Sequence, residues 1–443
     1  MKYIFLLISL FTFNFLQAQV TGVVKDAAGE PIPGANVFWM NTTNGVTTNE
    51  DGNFSIHKPA RSHMLVVSFI GFENDTIHVD KGNQQLDIVL REGVELSEVN
   101  VVTRKLGTMK LRTSVMNEDM ISSAELTRAA CCNLGESFVT NPSVDVSYSD
   151  AATGAKQIKL LGLSGTYVQM MTENIPNFRG AAAPYGLGYV PGPWMQSIQV
   201  SKGSSSVKNG YESITGQINV EFKKPQLPEA DWVSANLFAS STNRYEANAD
   251  ATVKLSKRWS TSLLAHYENE TKSHDSNDDG FVDIPRVEQY NVWNRWAYMG
   301  DHYVFQAGIK ALHETRNSGQ IAHGNTPSHD LYEIGIKTNR YEAFTKNAYI
   351  FDKEKNTNLA LILQGTLHNQ DANYGRKLYD VDQSNFYASL LFETELSKQH
   401  SLSAGLSFNY DGYDQNYRLT NQAEEGLTKK FVKESVPGAY VQY

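Results

Sequence analysis

At 443 residues, 41% hydrophobic and 20% charged, the chain is long enough for roughly two to four domains, and its formal net charge of −9 argues against a nucleic-acid partner. A mean hydropathy of −0.40 excludes a bundle of apolar membrane helices, yet suits a barrel whose residues alternate between lipid and a polar lumen. The 22 Tyr, 20 Phe and 6 Trp, set against 2 Cys, point to a fold held by sheet pairing rather than by disulfides.

Lys2 precedes an apolar run from Ile4 to Leu16 that is too short to span a bilayer, so residues 1–18 read as a signal peptide cleaved after Ala18. An exported chain is expected. From 19 to 92, short β-runs at 20–24, 35–40, 54–56, 64–69, 76–79 and 86–90 alternate with turn residues such as Asn44-Gly45 and Asp51-Gly52. Such spacing predicts a small antiparallel β-sandwich. The text "TGVVKDAAGEPIPGANV", "TNEDGNFSI" and "LVVSFIGFE" resembles the carboxypeptidase-regulatory-like domain found ahead of outer-membrane receptors in Bacteroidetes. No His-x-x-Glu pair occurs in the chain, so the resemblance brings no zinc-peptidase site with it.

Residues 93–112 read as a polar, extended linker. An exposed strand-former in a linker can add itself to another protein's sheet edge, the alternative being a plain tether. Here "SEVNVV" resembles the TonB box that lies just ahead of the plug in TonB-dependent receptors. That likeness implies that Glu98, Val99, Asn100, Val101 and Val102 engage a TonB-type periplasmic energy-transducing protein.

The stretch 113–225 carries the most specific text. "LGESFVTNPSVDVSYSDAATGAKQIKLLGLSGTYVQMMTENIPN" and "MQSIQVSKGSSSVKNGYESITGQINVEFKKP" closely resemble the TonB-dependent receptor plug, an α+β domain. Strands are expected at 158–161, 167–171 and 216–220, with Ile198, Val200, Ile218 and Val220 alternating as in half-buried strands. Between them, "IPNFRGAAAPYGLGYVPGPW" is too rich in Gly and Pro for regular structure, and a loop of that length is usually functional. Plug loops of this region face the extracellular mouth in the family, which implies ligand contacts from Asn177, Phe178, Arg179, Tyr185, Tyr189 and Trp194. The alternative is that these aromatics fill space between plug and wall. Arg179 would suit an anionic chelate.

Two enzyme-like fragments lead nowhere. Gly162-Leu163-Ser164-Gly165-Thr166 misses the last Gly of a G-x-S-x-G elbow, and Gly186-Leu187-Gly188 runs into Pro191 where a dinucleotide-binding turn needs its third Gly. No catalytic residues are expected. Cys131-Cys132 reads as a strained disulfide, a soft-metal ligand pair or two buried small residues.

From 226 to 443 the apolar period is two. In "WSTSLLAHYE", Trp259, Thr261, Leu263, Ala265 and Tyr267 oppose Ser260, Ser262 and His266; "HYVFQAGIKAL" and "SLSAGLSFNY" repeat the pattern. A soluble sandwich shares this period, but an apolar face ending in aromatics, with short turns alternating with long polar loops at 271–286, 314–329, 371–382 and 411–430, is expected of a transmembrane barrel. Nine strands and the start of a tenth are countable, where a plugged transporter barrel needs about 22. The predicted fold is therefore mainly β: a sandwich, an α+β plug, and a partial antiparallel transmembrane barrel belonging to a gene fragment or truncated product.

In one loop, Asp275, Asn277, Asp279, Gly280 and Asp283 match positions of an EF-hand calcium loop, although Arg286 stands where the bidentate Glu belongs. A structural calcium is one reading and a solvated acidic loop the other. No other cofactor is expected. Taken with the resemblance, these features imply an outer-membrane receptor that binds and imports a scarce small solute with energy from TonB. The competing class is a non-transporting adhesin or surface binding protein on the same barrel. Histidines 266, 274, 313, 323, 329 and 368 near the predicted extracellular ends lean toward a metal chelate or metal complex as cargo.

Overall fold

The computed structural model describes residues 19–90, 109–110 and 117–443, less short internal stretches at 27–28, 41, 43, 60–62, 70–71, 73–74, 80–84, 130–131, 140, 142–143, 164, 204–206, 211, 226–231, 322–330, 398–399 and 421–427. The proposed signal peptide (1–18), the TonB-box-like segment (98–102) and Cys131 lie outside the described residues. The chain divides into two compact units, Met1–Lys105 and Leu106–Tyr443.

In the first unit, strands β1 (Gln19–Lys25), β2 (Asn36–Trp39), β3 (Gly45–Thr47), β4 (Asn53–His57), β5 (Met64–Ser68), β6 (Asp75–His78) and β7 (Gln85–Val89) form two sheets, ordered β4-β1-β7 and β3-β2-β5-β6. Residues two apart face inward, as a strand's geometry requires: Val20 and Val24, Val37 and Trp39, Phe54 and Ile56, Leu65 and Val67 make one core. Two details depart from the expected sandwich. The pairing of β1 with β7 is parallel, and β3 begins at the Gly45 that reads as punctuation in the sequence.

The second unit opens with the plug: β8 (Met109–Lys110), β9 (Asn117–Ser122), α1 (Ser123–Arg128), β10 (Val144–Asp150), β11 (Ala155–Leu160), β12 (Val168–Thr172), β13 (Ile175–Pro176), β14 (Met195–Lys202) and β15 (Gly216–Phe222). Six of these strands make a mixed sheet, β13-β12-β15-β14-β9-β8, in which β12 and β15 run parallel; β10 and β11 form a separate hairpin. Alternation predicts β15 to be half-buried, but it is buried on both faces. Its polar side chains are satisfied inside: Gln217 Oε1 accepts from Asn209 at 2.8 Å, Glu221 Oε1 accepts from Asn219 at 2.8 Å, and Glu221 pairs with Lys224 at 2.8 Å.

Ten antiparallel strands then run in sequence order as one sheet: β16 (Trp232–Ala239), β17 (Arg244–Lys254), β18 (Trp259–Glu270), β19 (Arg286–Met299), β20 (Tyr303–Gly319), β21 (Glu333–Asp352), β22 (Thr357–Tyr374), β23 (Lys377–Ser397), β24 (His400–Leu419) and β25 (Thr428–Gln442). Burial along them is inverted relative to a soluble sandwich. On β18, Ser260, Ser262 and His266 are buried while Trp259 and Leu263 are exposed, and Ile309 on β20 and Leu406 on β24 also face outward. Polar groups toward the plug and apolar groups outward are what a bilayer-spanning sheet demands. Because about ten residues suffice to cross the lipid, the 20 residues of β21 and 21 of β23 extend past it. For that reason three expected loops are strand in whole or in part: 314–319 is the far end of β20, 371–382 is the continuation of β22 and β23 around Gly375-Arg376, and 411–419 is the far end of β24.

Candidate functional site: plug loop against the inner wall

Residues 173–194 lie between the plug sheet and the polar face of the barrel strands. Glu173, Asn174 and Phe178 have φ of 52°, 61° and 53°. Such backbone costs about 1–3 kcal/mol per residue and persists where the surroundings enforce it. The wall does so. Arg295 donates to the Glu173 carboxylate at 2.5 Å, and Lys346 donates to the Glu173 carbonyl at 2.6 Å. Asn177 donates to Glu342 at 3.0 Å and accepts from Arg340 at 2.6 Å, while Arg340 pairs with Glu342 at 2.8 Å. Further along, the Gly188 carbonyl accepts from Gln289 at 3.2 Å, and that of Tyr189 accepts from Asn291 at 3.0 Å and Lys310 at 3.2 Å. An irregular buried loop must place its carbonyls somewhere, and the wall side chains supply the donors.

Within the loop, three short 3-10 turns at Gly180–Ala182, Gly186–Tyr189 and Gly192–Trp194 replace the irregular chain expected from its Gly and Pro. Phe178, Tyr185, Tyr189 and Trp194 are buried in one core with Leu264, Trp293, Leu312, Ile334 and Ile336 of the wall. Tyr189 and Trp194 are fully enclosed, and burial pushes the Tyr189 hydroxyl well above its ordinary pKa. Arg179 retains some exposure, but it is paired with Glu212 and, at 3.0 Å, with Asp411. Its charge is thus offset within the protein. Burial also raises the Glu212 carboxyl, with Arg179 opposing the rise and Asp411 adding to it.

The acidic loop is ordered by its own main chain. Asp275 accepts from Asp279 N at 3.2 Å and Gly280 N at 2.9 Å, Asp279 accepts from Phe281 N at 2.8 Å, and Asp283 accepts from Ser276 N at 2.6 Å. Asn277 turns a donating amide toward Asp279 at 3.0 Å. Among the described residues, no three His, Cys, Asp or Glu side chains converge as a metal site. The histidines are dispersed: His266 bonds Asn248 at 2.9 Å, His313 bonds Asn339 at 2.8 Å, His274 bonds the Thr242 carbonyl at 2.6 Å, and His368 packs on Tyr189. His323 and His329 lie outside the described residues. Cys132 is buried, which pushes its thiol pKa up, with Glu246 adding to the effect.

Sequence reading overlooked the wall's own contribution: Arg295, Lys310, Arg340, Glu342 and Gln289. A signal existed, since each occupies a polar-face position of a strand whose alternate residues are apolar, but the plug partner of such a charge is not encoded locally.

Comparison with known proteins agrees with this geometry. Residues 20–102 match the CarboxypepD_reg-like domain, and residues 110–217 match the TonB-dependent receptor plug domain. The TonB-dependent receptor SusC of Bacteroides thetaiotaomicron is 28% identical over 245 residues, covering 52% of this chain and 24% of SusC. TonB-dependent receptor P39 of Formosa agariphila is 39% identical over 100 residues, covering 22% of this chain and 10% of P39. In fold, the ferripyoverdine receptor of the Pseudomonas aeruginosa outer membrane superposes with a TM-score of 0.61 at 12% identity, over 82% of this chain and 54% of the receptor. The alcaligin outer-membrane receptor FauA of Bordetella pertussis gives 0.58 at 13% identity, over 75% and 54%. The matched stretch therefore spans about a quarter or less of these curated relatives and about half of these solved receptors. The chain thus carries a CarboxypepD_reg-like domain followed by a TonB-dependent receptor plug domain, is similar to a TonB-dependent receptor over about half of its length, and shares the fold of solved outer-membrane receptors.

Proposed function

We propose that this chain supplies the plug and part of the barrel wall of a transporter that binds a scarce solute on its extracellular side and imports it. Energy reaches it through Glu98–Val102, which would join the sheet edge of a TonB-type periplasmic protein. The observation that carries the reading is the wall itself, whose inward polar side chains hold the irregular plug loop 173–194 while its outward side chains are apolar. Such a loop occludes the lumen through discrete polar contacts that can be exchanged for others when the plug is pulled.

The cargo proposed is a metal chelate or metal complex, the class to which the ferripyoverdine of a solved receptor of the same fold belongs. In this reading Arg179 is the loop's accessible polar group, while Asn177, Phe178, Tyr185, Tyr189 and Trp194 set the loop's shape from beneath. No residue is assigned a catalytic role. The test is uptake by the full-length receptor in cells, with surface binding measured in parallel. Collapse of the proton gradient should stop uptake and spare binding; an adhesin would show binding without gradient-dependent uptake of any candidate solute.

A further inference from the structure

A cavity of about 180 Å³ lies between the plug and strands β17 to β20. Its basic groups are already engaged. Arg244 contacts Glu136 at 2.9 Å, Glu246 at 2.7 Å and Glu268 at 2.9 Å. Arg316 pairs with Glu314 at 3.1 Å, donates to the Thr153 carbonyl at 3.1 Å and lies 4.9 Å from the Tyr185 ring centre. Lys156 sits 5.5 Å from the ring of Tyr148.

Across the lining, four carboxylates, Glu136, Glu268, Glu270 and Glu314, face three cations, Lys156, Arg244 and Arg316. Glu270 lines the cavity and is 6% exposed, yet its Oε1 has no hydrogen-bond partner among the described residues. Gln289, 1% exposed, spends its amide nitrogen on Gly188 and Glu314 while its Oε1 is likewise unpartnered among the described residues. A buried carboxylate oxygen without a donor is costly, and a ligand that brings the donor removes the cost. The lining does not gather a metal-binding set among the described residues, and the space is several times the share of one water, about 30 Å³. A group that suits this lining is larger than a bare ion, rich in donors and positively charged.

We propose that this cavity receives a cationic, hydrogen-bond-donating group of the imported solute, a guanidinium or primary ammonium, with Glu270 as its counter-ion and the Gln289 side-chain oxygen as a second acceptor. This deepens the import reading and rests on it, since it names the chemistry of one end of the cargo. A planar guanidinium matches the site well, because it presents several donors at once to a carboxylate and an amide oxygen.

The test uses the purified full-length receptor in detergent, with folding of each variant checked by heat-modifiability. N-acetyl-argininamide is titrated against N-acetyl-citrullinamide, which keeps the shape and lacks the charge. The first should bind at least about tenfold more tightly, Glu270→Gln should erase that difference, and Glu270→Asp should keep part of it. Equal binding of the two probes, no binding of either, or an unchanged preference in folded Glu270→Gln would each overturn the proposal. Displacement by calcium chloride at matched ionic strength with no preference between the probes would overturn it too. Binding to purified receptor needs no proton gradient, so failure here is distinct from failure of the import reading, which shows in cellular uptake.

Discussion

Arg295 of the barrel wall donates to the Glu173 carboxylate of the plug at 2.5 Å, and both side chains are 2% exposed. Removing one member of a buried pair strands the other charge at a cost of about 3–5 kcal/mol, whereas removing both costs less. Glu173→Gln and Arg295→Met should each lower the urea concentration at which the plug leaves the folded barrel. The double variant should recover part of the loss. Additive effects in this cycle would mean the pair does not join plug to wall.

The outward face gives a second prediction. Ile309 is 71% exposed near the middle of β20, paired with Asn294 and Ala343. On a soluble sheet, Ile309→Arg would be neutral or would aid solubility; facing lipid near the bilayer midplane it should cost about 2–4 kcal/mol. Folding into vesicles, followed by denaturant titration, measures this. Ile309→Ala is the control for lost side-chain volume.

Gly216 tests how tightly the plug sheet is packed. An added Cβ there would lie 2.2 Å from the Ser201 carbonyl oxygen and 2.3 Å from Leu160. Backbone must shift to admit it, so Gly216→Ala should destabilise the plug by about 1–3 kcal/mol. Protease sensitivity of β15 in the assembled receptor is the readout, with Gln217→Ala as a comparison that leaves the backbone free.

A pH dependence follows from Glu212. Burial raises its carboxyl pKa in the folded plug, so the folded state holds its proton at pH values where the unfolded chain has released it. Stability should therefore decline as pH rises from the ordinary Glu range through the raised folded value, and Glu212→Gln should flatten that decline. Thermal denaturation across this window checks the slope; a steeper decline in the variant would contradict the assignment.

Much of this was legible from residues alone, because a strand's period of two writes its faces directly into the text. Trp259, Leu263 and Tyr267 against Ser260, Ser262 and His266 separate correctly by face. Plug strands around Ile198 and Ile218 were equally visible. What the alternation could not reveal is that β15 is buried on both faces, because its polar side chains Gln217 and Glu221 are satisfied inside by the nearby Asn209 and Lys224 and so need no solvent. The segments 371–382 and 411–419 read as loops because strand extending beyond lipid loses its apolar face. Within the candidate site, Phe178, Tyr189 and Trp194 stood out by residue type, but their burial against Trp293 and Leu312 arises from a wall folded a hundred residues later.

The most direct test of energy-coupled import is Val101→Pro against Val101→Ala in the full-length gene, with extracellular solute binding and uptake measured at equal receptor levels. Proline removes one main-chain donor and fixes φ, so it should break strand addition to the TonB-type partner, abolishing uptake while binding persists. Alanine keeps the backbone and should leave most uptake in place. Wild-type uptake by the proline variant would contradict import driven through this segment.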